Sequence, residues 1–147
     1  GALAAWLGLR LTHAPDATWL AYATAFAAVV GHVWPVWHGF RGGKGAATVI
    51  GATLVLWPSA VPVLLATWIG VLILTGYVGL GTVLAGLALA ALATLTHAAT
   101  PRLAFALAAA ALLAWTHRGN LARLRAGTES RFEKARLLHR LARRGRA

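Results

Sequence analysis

The 147-residue chain is 59% hydrophobic and 12% charged, with a mean hydropathy of +0.69 and a net charge of +11. Its only charge between Gly45 and Thr116 is Arg102; so dry a stretch exceeds any core a short soluble domain can bury and takes lipid as its solvent. Ten of the fourteen basic residues lie at or after Arg118, beside apolar segments, a placement that marks a cytoplasmic membrane face and anionic headgroups rather than nucleic acid as partner.

In chain order, residues 1–11 read as a short apolar helix, the tail of a longer span, because Gly1 opens inside an apolar run. Residues 11–18 (LTHAPDAT) form a turn around Pro15 and Asp16. Residues 18–33 form the second span, with Trp19 and Trp34 at its ends as an interfacial belt. Residues 31–48 (GHVWPVWHGFRGGKGAAT) are a Gly-rich loop. Residues 46–75 exceed one ordinary span of about 20 residues. Pro58 and Pro62 break them into a short helix ending at Trp57 and a second from Ser59. The short one covers only about 18 Å, so it begins back in the glycine loop or re-enters the membrane. Residues 76–82 (GYVGLGT) read as a tight connection, 83–96 as a span, 97–102 as a turn and 103–116 as the last span. Residues 117–147 form a basic tail in which 131–144 reads as an amphipathic surface helix carrying Phe132, Leu137, Leu138 and Leu141.

The fold class is therefore all-α, a polytopic membrane bundle with about six hydrophobic segments. Residues 1–117 form the membrane domain, and 117–147 a cytoplasmic motif with its tail. Four spans separate the Gly-rich loop from the tail, which puts these two basic segments on one side, the cytoplasmic one; Arg10 and Arg102 fall on the other face.

Two polar motifs carry the chemistry. Arg41-Gly42-Gly43-Lys44-Gly45 joins two cations to glycines just before a helix. Backbone N–H groups there approach an anion closely, and the helix start adds unpaired donors and a favourable dipole. The spacing is not that of a Walker A loop, since Gly45 stands where Ser or Thr binds magnesium. In the second motif, His117, Asn120 and Arg123 recur every three residues and share one face of a helix, ahead of Glu129. A histidine suits removal of a hydroxyl proton, and an asparagine suits orienting that hydroxyl or donating to an oxyanion. The competing roles are a flexible cationic loop and a capped helix end at the interface. His32 reads as a helix-end residue that lines the site or bonds a backbone carbonyl; His38 is an exposed loop residue, and His13, His97 and His139 show no partner pattern. With no cysteine and only Asp16, Glu129 and Glu133 as acids, no disulfide, thiolate metal site or carboxylate two-metal site can form, and no metal is expected.

Together the motifs resemble those of the bacterial acyl-phosphate:glycerol-3-phosphate acyltransferase family (PlsY), whose members carry GHxxPxF-x-x-F-K/R-GGKG-x-AT and H-x-x-N-I-x-R-L-x-x-G-x-E segments. Trp37, Ala46 and Leu121 depart from it by apolar exchanges. The resemblance implies a seven-span membrane enzyme without cofactor. It would move an acyl group from acyl phosphate to the 1-hydroxyl of glycerol 3-phosphate, giving lysophosphatidic acid and phosphate. Its partners would be these two substrates and membrane lipids, and its place the bacterial inner membrane. His117 and Asn120 would lie at the reacting centre. Arg41, Gly42, Gly43, Lys44, Gly45, Thr48 and Arg123 would bind substrate or phosphate, with His32 and Glu129 in support. The family also has a further span and a Ser-Gly-Asn motif before the point where this sequence opens, so this chain alone is expected to be weakly active or inactive. A phosphate or organic-anion transporter, or a non-catalytic lipid-binding protein, is the competing function.

Overall fold

The computed structural model describes residues 1–11 and 17–132. Seven α-helices run through them: α1 (Ala2–Arg10), α2 (Ala17–Val33), α3 (Ala46–Leu56), α4 (Val61–Thr75), α5 (Val78–Leu95), α6 (Thr100–Thr116) and α7 (Arg118–Arg125). The first six are the apolar segments expected from sequence. Pro15 and Asp16, with their turn, and the 131–144 helix beyond Phe132 lie outside the described residues.

The helices alternate between two ends of a bundle. The chain enters α3 from the Gly-rich loop, and α3 finishes beside the start of α2, where the Tyr22 hydroxyl donates to the Leu56 carbonyl at 3.3 Å. Arg102 on α6 reaches the same level: its Nε donates to the Tyr22 hydroxyl at 3.0 Å and its guanidinium lies 4.8 Å from the Trp57 ring. A single 3-10 turn, Pro58–Ala60, then reverses the chain into α4. The break at Pro58 is as expected, and α3 starts at Ala46 without extending back into the glycine loop. Pro62 breaks nothing, because it occupies the first turn of α4, where its missing N–H has no intrahelical acceptor to lose.

Two boundaries differ from expectation. The connection after α4 is only Gly76 and Tyr77, and α5 already begins at Val78. The glycines of residues 76–82 signal a turn in water; within apolar helices they also let neighbouring chains approach. Similarly α6 begins at Thr100, with Pro101 in its first turn and Arg102 already helical.

The interior is small and the exterior large. α5 buries Gly79, Gly81, Thr82, Ala85, Gly86, Ala90 and Ala93 besides Val83 and Leu89. Leu3, Trp6, Trp19, Leu54, Leu65, Ile69, Leu74, Leu87, Leu95 and Leu107 face outward. In water this arrangement would waste apolar surface; in lipid, where tails are as apolar as leucine, close backbone packing holds helices together instead. Three segments, residues 18–38, 58–75 and 78–95, are long and apolar enough to cross a membrane.

Candidate functional site

The two motifs meet at one end of the bundle. After α2 the chain turns through Pro35 and a 3-10 turn (Val36–His38) and folds back so that the Gly42 N–H donates to the Val33 carbonyl at 3.2 Å and the Gly43 N–H to the His32 carbonyl at 3.1 Å. These bonds satisfy orphan carbonyls at the C-terminus of α2. A Cβ on Gly42 would collide with the backbone carbonyls of His32 and Val33, so glycine is required there for this seal. Gly45 then adopts φ +84° and caps α3 without any side-chain cap. The first-turn N–H groups at Ala46, Ala47 and Thr48 have no acceptor within the helix. The Thr116 hydroxyl, at the end of α6, donates to the Lys44 carbonyl at 3.0 Å and fastens the loop to the second motif.

Between α6 and α7 the chain hinges at His117. The residue is 5% exposed, and its Nδ1 lies 2.8 Å from the Leu113 carbonyl. A carbonyl can only accept, so Nδ1 carries the proton and Nε2 presents a lone pair. Burial lowers the histidine below its ordinary 6.5, with the Leu113 bond opposing and the Lys44 charge assisting. The ring is thus neutral at pH 7. Arg118 braces the hinge, donating to the Trp115 carbonyl at 2.9 Å with its guanidinium 4.0 Å from the Trp115 ring.

Asn120 links the two motifs. Its Oδ1 accepts from Lys44 Nζ at 2.6 Å and its Nδ2 donates to Glu129 Oε1 at 2.6 Å. Lysine only donates and carboxylate only accepts, so the amide has one possible orientation. Arg123 Nε donates to the other carboxylate oxygen at 2.7 Å. Glu129, its side chain 6% exposed, is held below the ordinary carboxylate range by the Asn120 hydrogen bond first; burial opposes this, and Arg123 and Lys44 reinforce it. The sequence Lys44–Asn120–Glu129–Arg123 is therefore a continuous charge-assisted chain.

This chain borders a cavity of about 420 Å³ lined by Lys44, Ala46, His117, Asn120 and Glu129, by Val78, Gly79 and Thr82 of α5, and by Ser130, Arg131 and Phe132. Of the residues singled out in the sequence, Lys44, His117, Asn120 and Glu129 come together here. Gly45 is not among the lining residues but caps α3 between Lys44 and Ala46, which are. Arg123 acts on Glu129 rather than on the cavity; Arg41, Gly42, Gly43, Thr48 and His32 do not line it. The sequence reading missed Thr116 and the α5 wall. Gly79 was the available signal: a Cβ there would lie 2.8 Å from Asn120 Cβ, so its glycine makes room for the asparagine.

Fold and site define a polytopic helical membrane protein with a polar pocket carrying Lys44, Glu129 and Arg131 at one end of its bundle. A family model described as glycerol-3-phosphate acyltransferase matches residues 1–127. The chain belongs to the glycerol-3-phosphate acyltransferase family. It is 39% identical over 132 residues to the glycerol-3-phosphate acyltransferase of Myxococcus xanthus, covering 90% of this chain and 68% of that protein. To that of Gloeobacter violaceus it is 38% identical over 134 residues, covering 90% and 65%. Among solved structures it is similar to PlsY (YgiH), an integral membrane glycerol 3-phosphate acyltransferase. The glycerol 3-phosphate form gives a TM-score of 0.80 at 30% identity over 87% of this chain and 63% of that one. The lysophosphatidic acid form gives 0.79 at 29% identity, over 86% and 64%. The chain thus spans about two thirds of the length of these relatives.

Proposed function

We propose that the full-length protein transfers a fatty acyl group from acyl phosphate to the 1-hydroxyl of glycerol 3-phosphate, in the bacterial inner membrane, with both motifs and the C-terminal part facing the cytoplasm. The observation that carries this reading is a neutral, buried histidine and a lysine-headed hydrogen-bond chain on the walls of one cavity. The hydroxyl oxygen attacks the acyl carbonyl carbon, the bond from that carbon to the phosphate oxygen breaks, and phosphate leaves. His117 Nε2 accepts the hydroxyl proton and returns it to the departing phosphate. The mixed anhydride is already activated, so no covalent enzyme intermediate is needed. Lys44, Gly45 and the first turn of α3 hold phosphate, and the remaining N–H of Asn120 Nδ2 faces the reacting centre. Holding two anions in register supplies much of the rate. An apolar crevice lies beneath the polar cavity and shares Ala46 and Thr82 with it, which suits a donor with a lipid tail.

A polar site at one end of spans that carry no charge near their centres supports interfacial chemistry over transport. The test supplies purified full-length protein with glycerol 3-phosphate and either acyl phosphate or acyl-coenzyme A, measuring phosphate and lysophosphatidate. Turnover with acyl phosphate and little with the thioester is expected. Comparable rates from the thioester would remove the donor assignment; no transfer, with phosphate flux into liposomes, would favour a transporter.

A further inference from the structure

The segment after Glu129 returns over the corner between α4 and α5. The Phe132 N–H donates to the Gly76 carbonyl at 2.8 Å. Arg131 Nε donates to the Tyr77 hydroxyl at 2.7 Å, and its guanidinium lies 5.0 Å from the Tyr77 ring centroid. Tyr77 thus takes one of the five N–H donors of this arginine and holds the plane of the fork, while the terminal nitrogens have no protein partner among the described residues. Arg131 nevertheless lines the cavity.

The charges of that lining make this placement informative. Glu129 is ion-paired with Arg123 and joined to Lys44 through Asn120, and His117 is neutral. Arg131 is the one lining cation, among the described residues, not committed to the carboxylate network. Two phosphate-bearing substrates in a cavity of about 420 Å³ would otherwise meet Lys44 as the one lining cation among the described residues. Such crowding of dianions needs a second cation, and a planar fork binds two phosphate oxygens at once.

Resting on the acyl-transfer reading, we propose that Arg131, aimed by Tyr77, is a second phosphate-binding cation, opposite Lys44, and that Tyr77 is its positioning residue. The ligand chemistry is a phosphate monoester or acyl phosphate group, and the two substrates are separated by the test. The proposal also gives the Glu129–Phe132 stretch a role besides bracing Asn120: it closes one wall of the cavity with a charge that substrate needs.

The test uses the full-length protein in lipid nanodiscs. Inorganic phosphate is titrated by calorimetry, and KM and kcat are measured for each substrate in turn. Arg131→Gln should weaken phosphate binding about tenfold or more and raise KM for at least one substrate by a similar factor, with kcat and thermal stability little changed. The substrate whose KM moves is the one Arg131 holds. Arg131→Lys should recover part of the loss, because charge returns without the fork, and Tyr77→Phe should show a smaller rise in KM than Arg131→Gln. A purely structural latch would instead lower kcat or melting temperature with KM unmoved. Phosphate affinity and both KM values within twofold of wild type in Arg131→Gln would overturn the proposal. Phosphate titration needs no turnover, so failure of the acyl-transfer reading would appear separately, as a wild-type protein that binds phosphate but transfers no acyl group.

Discussion

Asn120 uses its amide at both ends: it accepts from Lys44 and donates to Glu129. Asn120→Asp keeps the shape and the lysine contact but replaces the donor facing Glu129 with a second carboxylate. Like charges at that distance disfavour one another, so the chain should break at its middle. Turnover is expected to fall about 100-fold while the protein still inserts, and rates within threefold of wild type would remove Asn120 from the reacting centre. The two shifted groups titrate differently. The His117 pKa is lowered, so the working neutral ring persists below the ordinary 6.5, and the acid limb of kcat/KM should have its midpoint below that value. A midpoint at or above 6.5 would assign the limb to another group. Glu129 is also lowered: its contribution to holding residues 126–132 is present above the ordinary carboxylate value and is lost only as pH falls through the depressed one. The acid limb therefore belongs to the histidine, not to release of this segment. The residues that touch one another here were legible in sequence only as two separate motifs. Their spacing shows a cation and an amide, whereas the bond between them depends on the Gly-rich loop reaching the junction of α6 and α7, which local pattern does not encode.

At the level of elements, apolar composition sufficed to find the six membrane helices, and Pro58 sufficed to divide α3 from α4. The start of α5 was hidden because Gly79 and Gly81 have two uses, and flanking Tyr77 and Thr82 made the turn the simpler reading. The start of α6 was hidden because a proline and a charge look like a loop, although Pro101 at a helix entrance and Arg102 bonded to Tyr22 are at home in a helix. Gly79 also joins element to site. Gly79→Ala places a methyl 2.8 Å from Asn120 Cβ, and α5 and α7 must part by a few tenths of an ångström or more. The expected cost is about 1–3 kcal/mol in stability, with a larger fractional loss in kcat than in thermal stability because the asparagine is displaced. Unaltered kcat beside a lowered melting temperature would show that α7 absorbs the methyl without moving the amide.

For the whole molecule, the even number of crossings between the loop and α7 puts both motifs at one end, and the shared cavity requires the same. Because the chain has no cysteine, single cysteines at His38 and Thr128 can be labelled without background. Both should react with an impermeant reagent from the cytoplasmic side only, and labelling from opposite sides would refute the topology. The short helix α3 carries a consequence for depth. It rises about 16 Å, against about 27 Å for α5, and yet it joins the level of Lys44 to that of Arg102 and Tyr22. The hydrocarbon of a typical bilayer is about 30 Å thick. The two polar levels therefore sit closer together than the headgroup planes of an undeformed membrane, so either the bilayer thins around this protein or the pocket lies sunken beneath its surface. On the acyl-transfer proposal, a sunken pocket would let a donor dissolved in the leaflet meet the reacting atoms without being lifted out of it, while the soluble acceptor would make the vertical journey. Bilayer thickness would thereby become a variable of the proposed reaction, since in an undeformed membrane each added methylene deepens the well into which the acceptor descends.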